Sequence, residues 1–509
     1  MGCDSPPRWS ACEILKKIAD GSVSAREVVN AYIDCIEQVN PSLNAMVVPL
    51  FAQARADAAA VDAMRRRGEN PGLLAGLPFT AKESFDVAGT PSTVGLTALA
   101  QHRAAADAPY VARLRQAGAI LLGKTNVSQL LMGNESDNPL YGRTNNPWNH
   151  DRSPWGSSGG EAALIAAGGS ALGLGSDIGG SVRLPAHACG IHAIKPTSRR
   201  LTMEGHVPLY PGQEAIVAQP GPMARTVADL ELAMSFLMAP QDRITTRVPI
   251  AGMRIAMYTD NGVFAVAPAL RRAVAEAAAA LESRGAYVEE WQPPDPVEAW
   301  ITFLGILMAD GFASAKRMIG RSPVLPYIRL ILLCGVFPRW LLSGAASPVL
   351  RMLGQQHLAR NVRAMGYLSA DDYWRLVDWR ARFEARFLGA LERGRFDAII
   401  CPPAALPAVP HRVGAHVPDV LSYSALYNLL GMPAGVVPAT RVRQDEETCR
   451  KPGSDWVEHK AIQCEKGSTG LPVGVQVAAR HWREDIVLSV MHALEEHFRH
   501  LPDYPLFPC

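Results

Sequence analysis

GLGSDIGGSVRLPA, residues 173–186, carries an apolar run into two consecutive glycines, a serine and an arginine. With the preceding EAALIAAGGSA it reads as a helix feeding a short buried strand, and the strand ends in a tight turn. Adjacent glycines let the backbone turn where a Cβ would clash. Such a turn can aim successive N–H groups at one point and form a nest for developing negative charge. The amides of Ile178, Gly179, Gly180 and Ser181 are the candidates. Asp177 and Arg183 flank the turn, and an ion pair between them would hold its shape. Ser181 is then a candidate nucleophile. A serine needs a neighbouring group to take its proton, yet the nearby histidines, His187 and His192, carry no further triad signature. Alone, a Gly-Gly-Ser turn is more often structural. Gly173, Gly175 and Gly179 only loosely mimic a dinucleotide-binding fingerprint, and their spacing is wrong for it.

Outward from this turn, helical and short apolar segments alternate to about residue 300. GLLAGLPFTAKESFDVAG is strand-like, and YVARLRQAGAILLGKTN reads as helix, glycine stop and buried strand. The pattern predicts an α/β fold with a largely covered sheet. Residues 10–66 read as helices, 371–394 as a charged helix, and 443–468 as an exposed polar loop. FDAIICPPA and GLPVGVQVAAR read as late strands, and EDIVLSVMHALEEHFRH as a closing helix. There is no internal repeat and no clear linker. The expectation is one continuous domain, 1–509, with a lipophilic insertion at 298–353.

Bulk properties narrow the function classes. The chain is 48% hydrophobic and 19% charged, which favours a large buried core over disorder. A net charge of +2 without a long basic block argues against nucleic acid as a partner. The nine cysteines are scattered and form no CxxC pair, which reads as reduced thiols in a cytosolic setting rather than a disulfide framework or a zinc site. MGCDSPPRWSACEILKK has no apolar signal region, and Pro6 stands where the myristoylation pattern wants Ser or Thr, which disfavours lipidation at Gly2 and Cys3.

Two upstream segments bear on the missing base. GLPFTAKESFDVAG places Lys82 at the end of an apolar strand. Alone, such a lysine more often snorkels to the surface. If buried, it would favour its neutral form and could act as a base. SPWGSSGGEAALIAAG carries Ser157 and Ser158, which alone would read as helix caps.

Together the three segments resemble the amidase signature family. Its serine- and glycine-rich signature reads here as Gly156-Ser157-Ser158-Gly159-Gly160 continuing to Asp177-Ile178-Gly179-Gly180-Ser181-Val182-Arg183, and its lysine motif as Gly76-Leu77-Pro78-Phe79-Thr80-Ala81-Lys82. Ser157 follows Lys82 by 75 residues and precedes Ser181 by 24, which is the family's order. GKTNVSQ (123–129), NPLYGRTNNPWN (138–149), CGIHAIKPT (189–197), GPMARTVADL (221–230) and GLPVGVQVAAR (470–480) match too, so the resemblance covers nearly the whole chain. It implies a large mixed sheet covered by helices on both faces. It implies a Ser–Ser–Lys triad without histidine: Ser181 as nucleophile, Ser157 as proton relay, Lys82 as base. It implies an oxyanion hole from the 178–181 amides, a cis peptide at Gly156–Ser157, and no cofactor or metal. One residue departs from the pattern. Trp155 stands where the family usually has glycine, and a tryptophan does not readily take positive φ, so the expectation is a reshaped cavity wall or a shifted loop.

Glu83 after Lys82, Gly159-Gly160-Glu161 with ALI close behind, and GMPAGVVPATRVR resemble the fatty acid amide hydrolase branch. By that similarity Leu131, Met132 and Gly133 would line the site, and the substrate would be a lipophilic amide. Residues 325–353 fit this view independently. Their charge-free runs of eight (330–337) and eleven (340–350) residues are too short to span a bilayer, which takes about 20. Arg329, Arg339 and Arg351 punctuate the apolar faces, and Trp340 is an interfacial residue type. The preferred reading is a surface-lying membrane cap on a cytoplasmic enzyme, against a buried helix pair or a homodimer contact. The alternatives for function are a small-amide or aryl-amide amidase of the indoleacetamide type, the glutaminase-type subunit of a tRNA amidotransferase, and a non-catalytic amidase-fold binding module.

Overall fold

Eleven strands pair into one mixed sheet in the computed structural model, which describes residues 5–208, 210–244, 246–447, 450–451 and 453–508. Gly2 and Cys3, where lipidation was weighed, lie outside the described residues. Across the sheet the order is Met46–Pro49, Ile120–Thr125, Pro78–Lys82, Leu172–Asp177, Gln219–Ala224, His192–Lys195, Ala434–Arg441, Pro472–Ala479, Ala398–Cys401, Arg254–Met257 and Tyr287–Glu290. Pro78–Lys82 runs parallel to both its neighbours, with Thr80 level with Gly173 and Ala81 with Leu174. Every residue of Pro78–Lys82, Ile120–Thr125 and Leu172–Asp177 is buried. Strands covered on both faces lose the in–out alternation, which is why these runs read as continuously apolar. The architecture is the expected α/β fold, a large mixed sheet flanked by helices.

Helix ends follow local chemistry. Ser10 and Ser24 each form a capping box, with Glu13 and Glu27 respectively, and so satisfy N–H groups that the helix leaves unpaired. Gly159–Ala166 is buried along its whole length. It is the helix whose N-terminus carries Ser157 and Ser158 toward the end of the Leu172–Asp177 strand.

Two segments differ from expectation. The 10–66 stretch is not all helix, because Met46–Pro49 forms an antiparallel edge strand against Ile120–Thr125. Four residues are too few for periodicity to separate them from the helices on either side. The 443–468 stretch is not all loop, since it contains the helix Trp456–Glu465, capped by the Asp455 side chain. Its buried Val457, Ala461 and Cys464 recur at helical spacing, but the charged residues between them hide a stripe that narrow.

Within 298–353, the helix Pro296–Leu307 is buried from Ala299 to Leu307. The short helices Ala313–Ile319 and Pro326–Cys334 follow, then Arg339–Leu341, which continues through a wider turn into Ser347–Met352. Phe312, Ile319, Ile328 and Leu332 pack on Val94, Leu96, Leu130 and Met132 in a small satellite core. The other face stays in solvent, with Trp340 72% and Met352 87% exposed, beside Leu330, Leu333, Val336, Val349 and Leu353. Only part of 325–353 therefore matches a buried helix pair. Among the described residues no helix is long and apolar enough to cross a membrane.

Candidate active site

Lys82 ends its strand fully buried, and its Nζ lies 2.7 Å from Ser157 Oγ. Ser176, on the adjacent parallel strand, places its carbonyl 3.2 Å and its Oγ 2.9 Å from the same Nζ. Parallel pairing thus delivers the lysine and the serine loop from the carboxyl ends of neighbouring strands. Ligand sites of α/β sheets gather at these ends. Burial pulls the Lys82 ammonium down to about 7, against the opposing pull of Asp177 and Glu161. Glu161 is itself fully buried. Its carboxylate accepts the hydroxyls of Thr80 and, at 2.6 Å, Thr125, while burial pushes it up to about 7.

Ser181 sits on the turn after the Leu172–Asp177 strand. Its carbonyl accepts the N–H of Ser158 at 3.1 Å, which ties the two serine segments together. Asp177 and Arg183 form a fully buried ion pair at 3.0 Å. Burial alone would raise the Asp177 carboxyl, but the guanidinium overrides it and holds it well below the usual range. Arg183 also donates to the Ser424 carbonyl at 2.9 Å and to Gln476 Oε1 at 2.7 Å, so the turn is anchored to distant chain. The carboxylate further accepts N–H groups from Gly180 (2.8 Å) and Val182 (3.2 Å). Gly180, with φ at +117°, therefore turns its amide toward Asp177, and of the four expected anion-facing amides it is not free in this arrangement. Asp177 does not engage those of Ile178, Gly179 and Ser181.

The peptide bond Gly156–Ser157 is cis. Trp155 takes φ +61°, in the left-handed region that a tryptophan does not readily adopt. Its N–H donates to Ser153 Oγ at 3.0 Å, and its carbonyl accepts Ser136 Oγ at 3.2 Å. The ring is fully buried in the main core, with its indole N–H left without a hydrogen-bond partner among the described residues. Gly156, not Trp155, faces the cavity beside Ser181.

Two cavities meet at Ser181. One is lined by Ser157, Ser176, Met203 and His206. The other is apolar, walled by Leu131, Met132 and Gly133 on one side and by Trp300, Phe303 and Leu307 of the 298–353 segment on the other. Tyr210 borders both. Of the residues singled out in the sequence, Ser157, Ile178, Gly179, Ser181, Leu131, Met132 and Gly133 border these two cavities, Lys82 lies behind Ser157, and Gly180, Asp177 and Arg183 line neither. His187 is committed elsewhere, to the Leu406 carbonyl at 3.1 Å and the Gly474 N–H at 3.0 Å. Sequence reasoning missed Ser176, Tyr210 and His206. His206 Nε2 lies 2.9 Å from Ser176 Oγ, and only tertiary contact brings that histidine to the lysine.

The family model described as Amidase matches residues 27–488. The chain belongs to the amidase family. It is an amide hydrolase. It is 32% identical over 506 residues to the fatty acid amide hydrolase 1 of Caenorhabditis elegans, covering 95% of this chain and 87% of that one. It is 30% identical over 514 residues to an indoleacetamide hydrolase of Bradyrhizobium diazoefficiens, covering 96% and 86%. Among solved structures, a fatty acid amide hydrolase superposes with a TM-score of 0.83 at 25% identity, over 96% of this chain and 85% of that one. The mixed sheet flanked by helices is thus the scaffold of an amidase.

Proposed function

We propose that this amidase hydrolyses lipophilic amides, with fatty acid amides as the substrate class, through a Ser181–Ser157–Lys82 triad. The observation that carries the chemistry is the 2.7 Å contact between a fully buried Lys82 and Ser157 Oγ. Neutral Lys82 takes the hydroxyl proton of Ser157 as Ser157 takes that of Ser181, and Ser181 Oγ bonds to the substrate carbonyl carbon. The oxyanion accepts from the amides of Ile178, Gly179 and Ser181. The proton then returns through Ser157 to the nitrogen as the C–N bond breaks, releasing the amine and leaving an acyl ester on Ser181. Water attacks that ester by the same proton path in reverse and frees the acid. Asp177 and Arg183 hold the turn and touch no reacting atom.

The apolar cavity beside Ser181 supports a lipophilic substrate, since Leu131, Met132, Trp300 and Phe303 offer an acyl chain no polar partner. Gly133, at the same wall, leaves room for the Tyr327 ring. The exposed apolar face of 325–353, with Arg329 and Arg351 exposed among it, fits peripheral docking of this enzyme on a lipid surface. The test is a fluorophosphonate probe followed by acyl amides of increasing chain length. Labelling lost in Ser181→Ala and a rate that rises with chain length support the reading. Preference for short aryl amides overturns the lipid assignment and favours the indoleacetamide type. Absence of labelling on folded protein overturns the triad.

A further inference from the structure

We infer that His206 is a positioning residue: by accepting the Ser176 hydroxyl hydrogen it turns the lone pair of neutral Lys82 toward Ser157. The inference rests on Lys82 being the base. A neutral amine has two hydrogens and one lone pair, and Lys82 Nζ has three neighbours. The Ser176 carbonyl, at 3.2 Å, can only accept, so it holds one hydrogen. The other hydrogen and the lone pair are divided between Ser157 Oγ at 2.7 Å and Ser176 Oγ at 2.9 Å. If the hydrogen goes to Ser157, the lone pair faces Ser176, and Lys82 cannot take the Ser157 proton. If it goes to Ser176, the lone pair faces Ser157, and the Ser176 hydroxyl must donate elsewhere. With the ring hydrogen on Nδ1, where the Val207 backbone accepts it, His206 presents a bare Nε2 2.9 Å away that can accept that hydroxyl. It makes the second arrangement the satisfied one, since a hydroxyl buried with no acceptor is penalised.

The imidazole is built into this place. Its ring stands edge-on to Phe85, 4.8 Å between centroids. The backbone at His206 pairs with Phe85, flanked by Asp86 N–H to the Gly205 carbonyl (2.7 Å) and Val207 N–H to the Ser84 carbonyl (3.0 Å). The chain leaving Lys82 is thereby stitched to the loop that carries the histidine. Ser84 Oγ reaches the same nitrogen at 2.8 Å, so two hydroxyls converge on one lone pair. Burial, with Lys82 nearby, draws the ring down to about 3, which leaves it neutral near pH 7.

The experiment compares wild type, H206L, H206Q, S176A and the H206L/S176A double variant. It reads the fluorophosphonate labelling rate, kcat and KM for an acyl anilide, and thermal unfolding. H206L should lower kcat and labelling by about ten- to hundredfold, with KM within about threefold. H206Q, whose amide oxygen accepts, should restore much of the rate. In the S176A background H206L should add less than about twofold, because the residue it acts through is gone. H206F, which fills the space without an acceptor, replaces H206L if that variant unfolds. The inference is overturned if the acceptor-less variant keeps its rate within threefold, if only KM moves, if H206Q recovers nothing, or if the two substitutions multiply. Wild type that is folded yet unlabelled overturns the lysine-base reading itself, and this inference falls with it, so that arm is measured first.

Discussion

The sharpest consequence of the buried lysine is a pH profile. A lysine in water loses its proton near 10.5, and burial in this site brings Lys82 to about 7. Only the neutral amine can take a proton from Ser157. The sign follows: a group whose charged form is destabilised by the fold is neutral above its lowered value and charged below it, so activity rises with pH. The neutral fraction is about half at pH 7, about a tenth at pH 6 and about a hundredth at pH 5. The labelling rate with a fluorophosphonate should follow this fraction and level off by about pH 8.5. Labelling is the better assay, since it reports activation of Ser181 without the later protonation of a leaving amine. Glu161 titrates in the same window, so the midpoint belongs to the pair. In Glu161→Gln the negative charge that opposes burial is gone, and the midpoint should move to lower pH. A rate that is flat from pH 5 to 9 would refute the base. So would one still climbing tenfold per unit above pH 9, because that is the behaviour of a solvated lysine.

Four further outcomes are expected. Ser181→Ala should abolish labelling and amide hydrolysis while leaving the unfolding midpoint in place, checked by circular dichroism. Arg183→Leu strands the fully buried Asp177 without its partner and should destabilise the protein by about 3–5 kcal/mol in urea titration. Gly133→Ala sets a Cβ 2.8 Å from the Tyr327 ring at φ +79°, and should lower stability by more than about 1 kcal/mol and slow long-chain substrates more than acetyl ones. Trp340→Glu with Met352→Glu should reduce co-sedimentation with phospholipid vesicles and leave turnover of a water-soluble amide unchanged.

Much of this was legible in the chain, for a definite reason. Lys82, Ser157 and Ser181 are carried by local motifs, and the buried strands that hold them lack alternation, so pattern and position agree. The Asp177–Arg183 pair is a short-range contact and could be anticipated. Contacts between distant segments could not. His206 follows an unremarkable Glu-Gly dipeptide, and only the bridge to Phe85 sets it beside Ser176. Gly180 looked like one of four equivalent amides until the carboxylate of Asp177 claimed it. Trp155 takes a left-handed conformation that its residue type disfavours and that no local pattern announces, with its ring buried in the core. The Trp456–Glu465 helix was hidden by charge on its outer face.

The register between Pro78–Lys82 and Leu172–Asp177 has an evolutionary corollary. Backbone pairing alone fixes Thr80 against Gly173 and Ala81 against Leu174, so the spacing of the chemical groups owes nothing to the walls that receive the substrate. Those walls come largely from remote stretches, 131–133, 210–218 and 300–308. Mutation can redraft them freely, and a new diet can be acquired by exchanging one wall while the reacting centre is inherited unaltered.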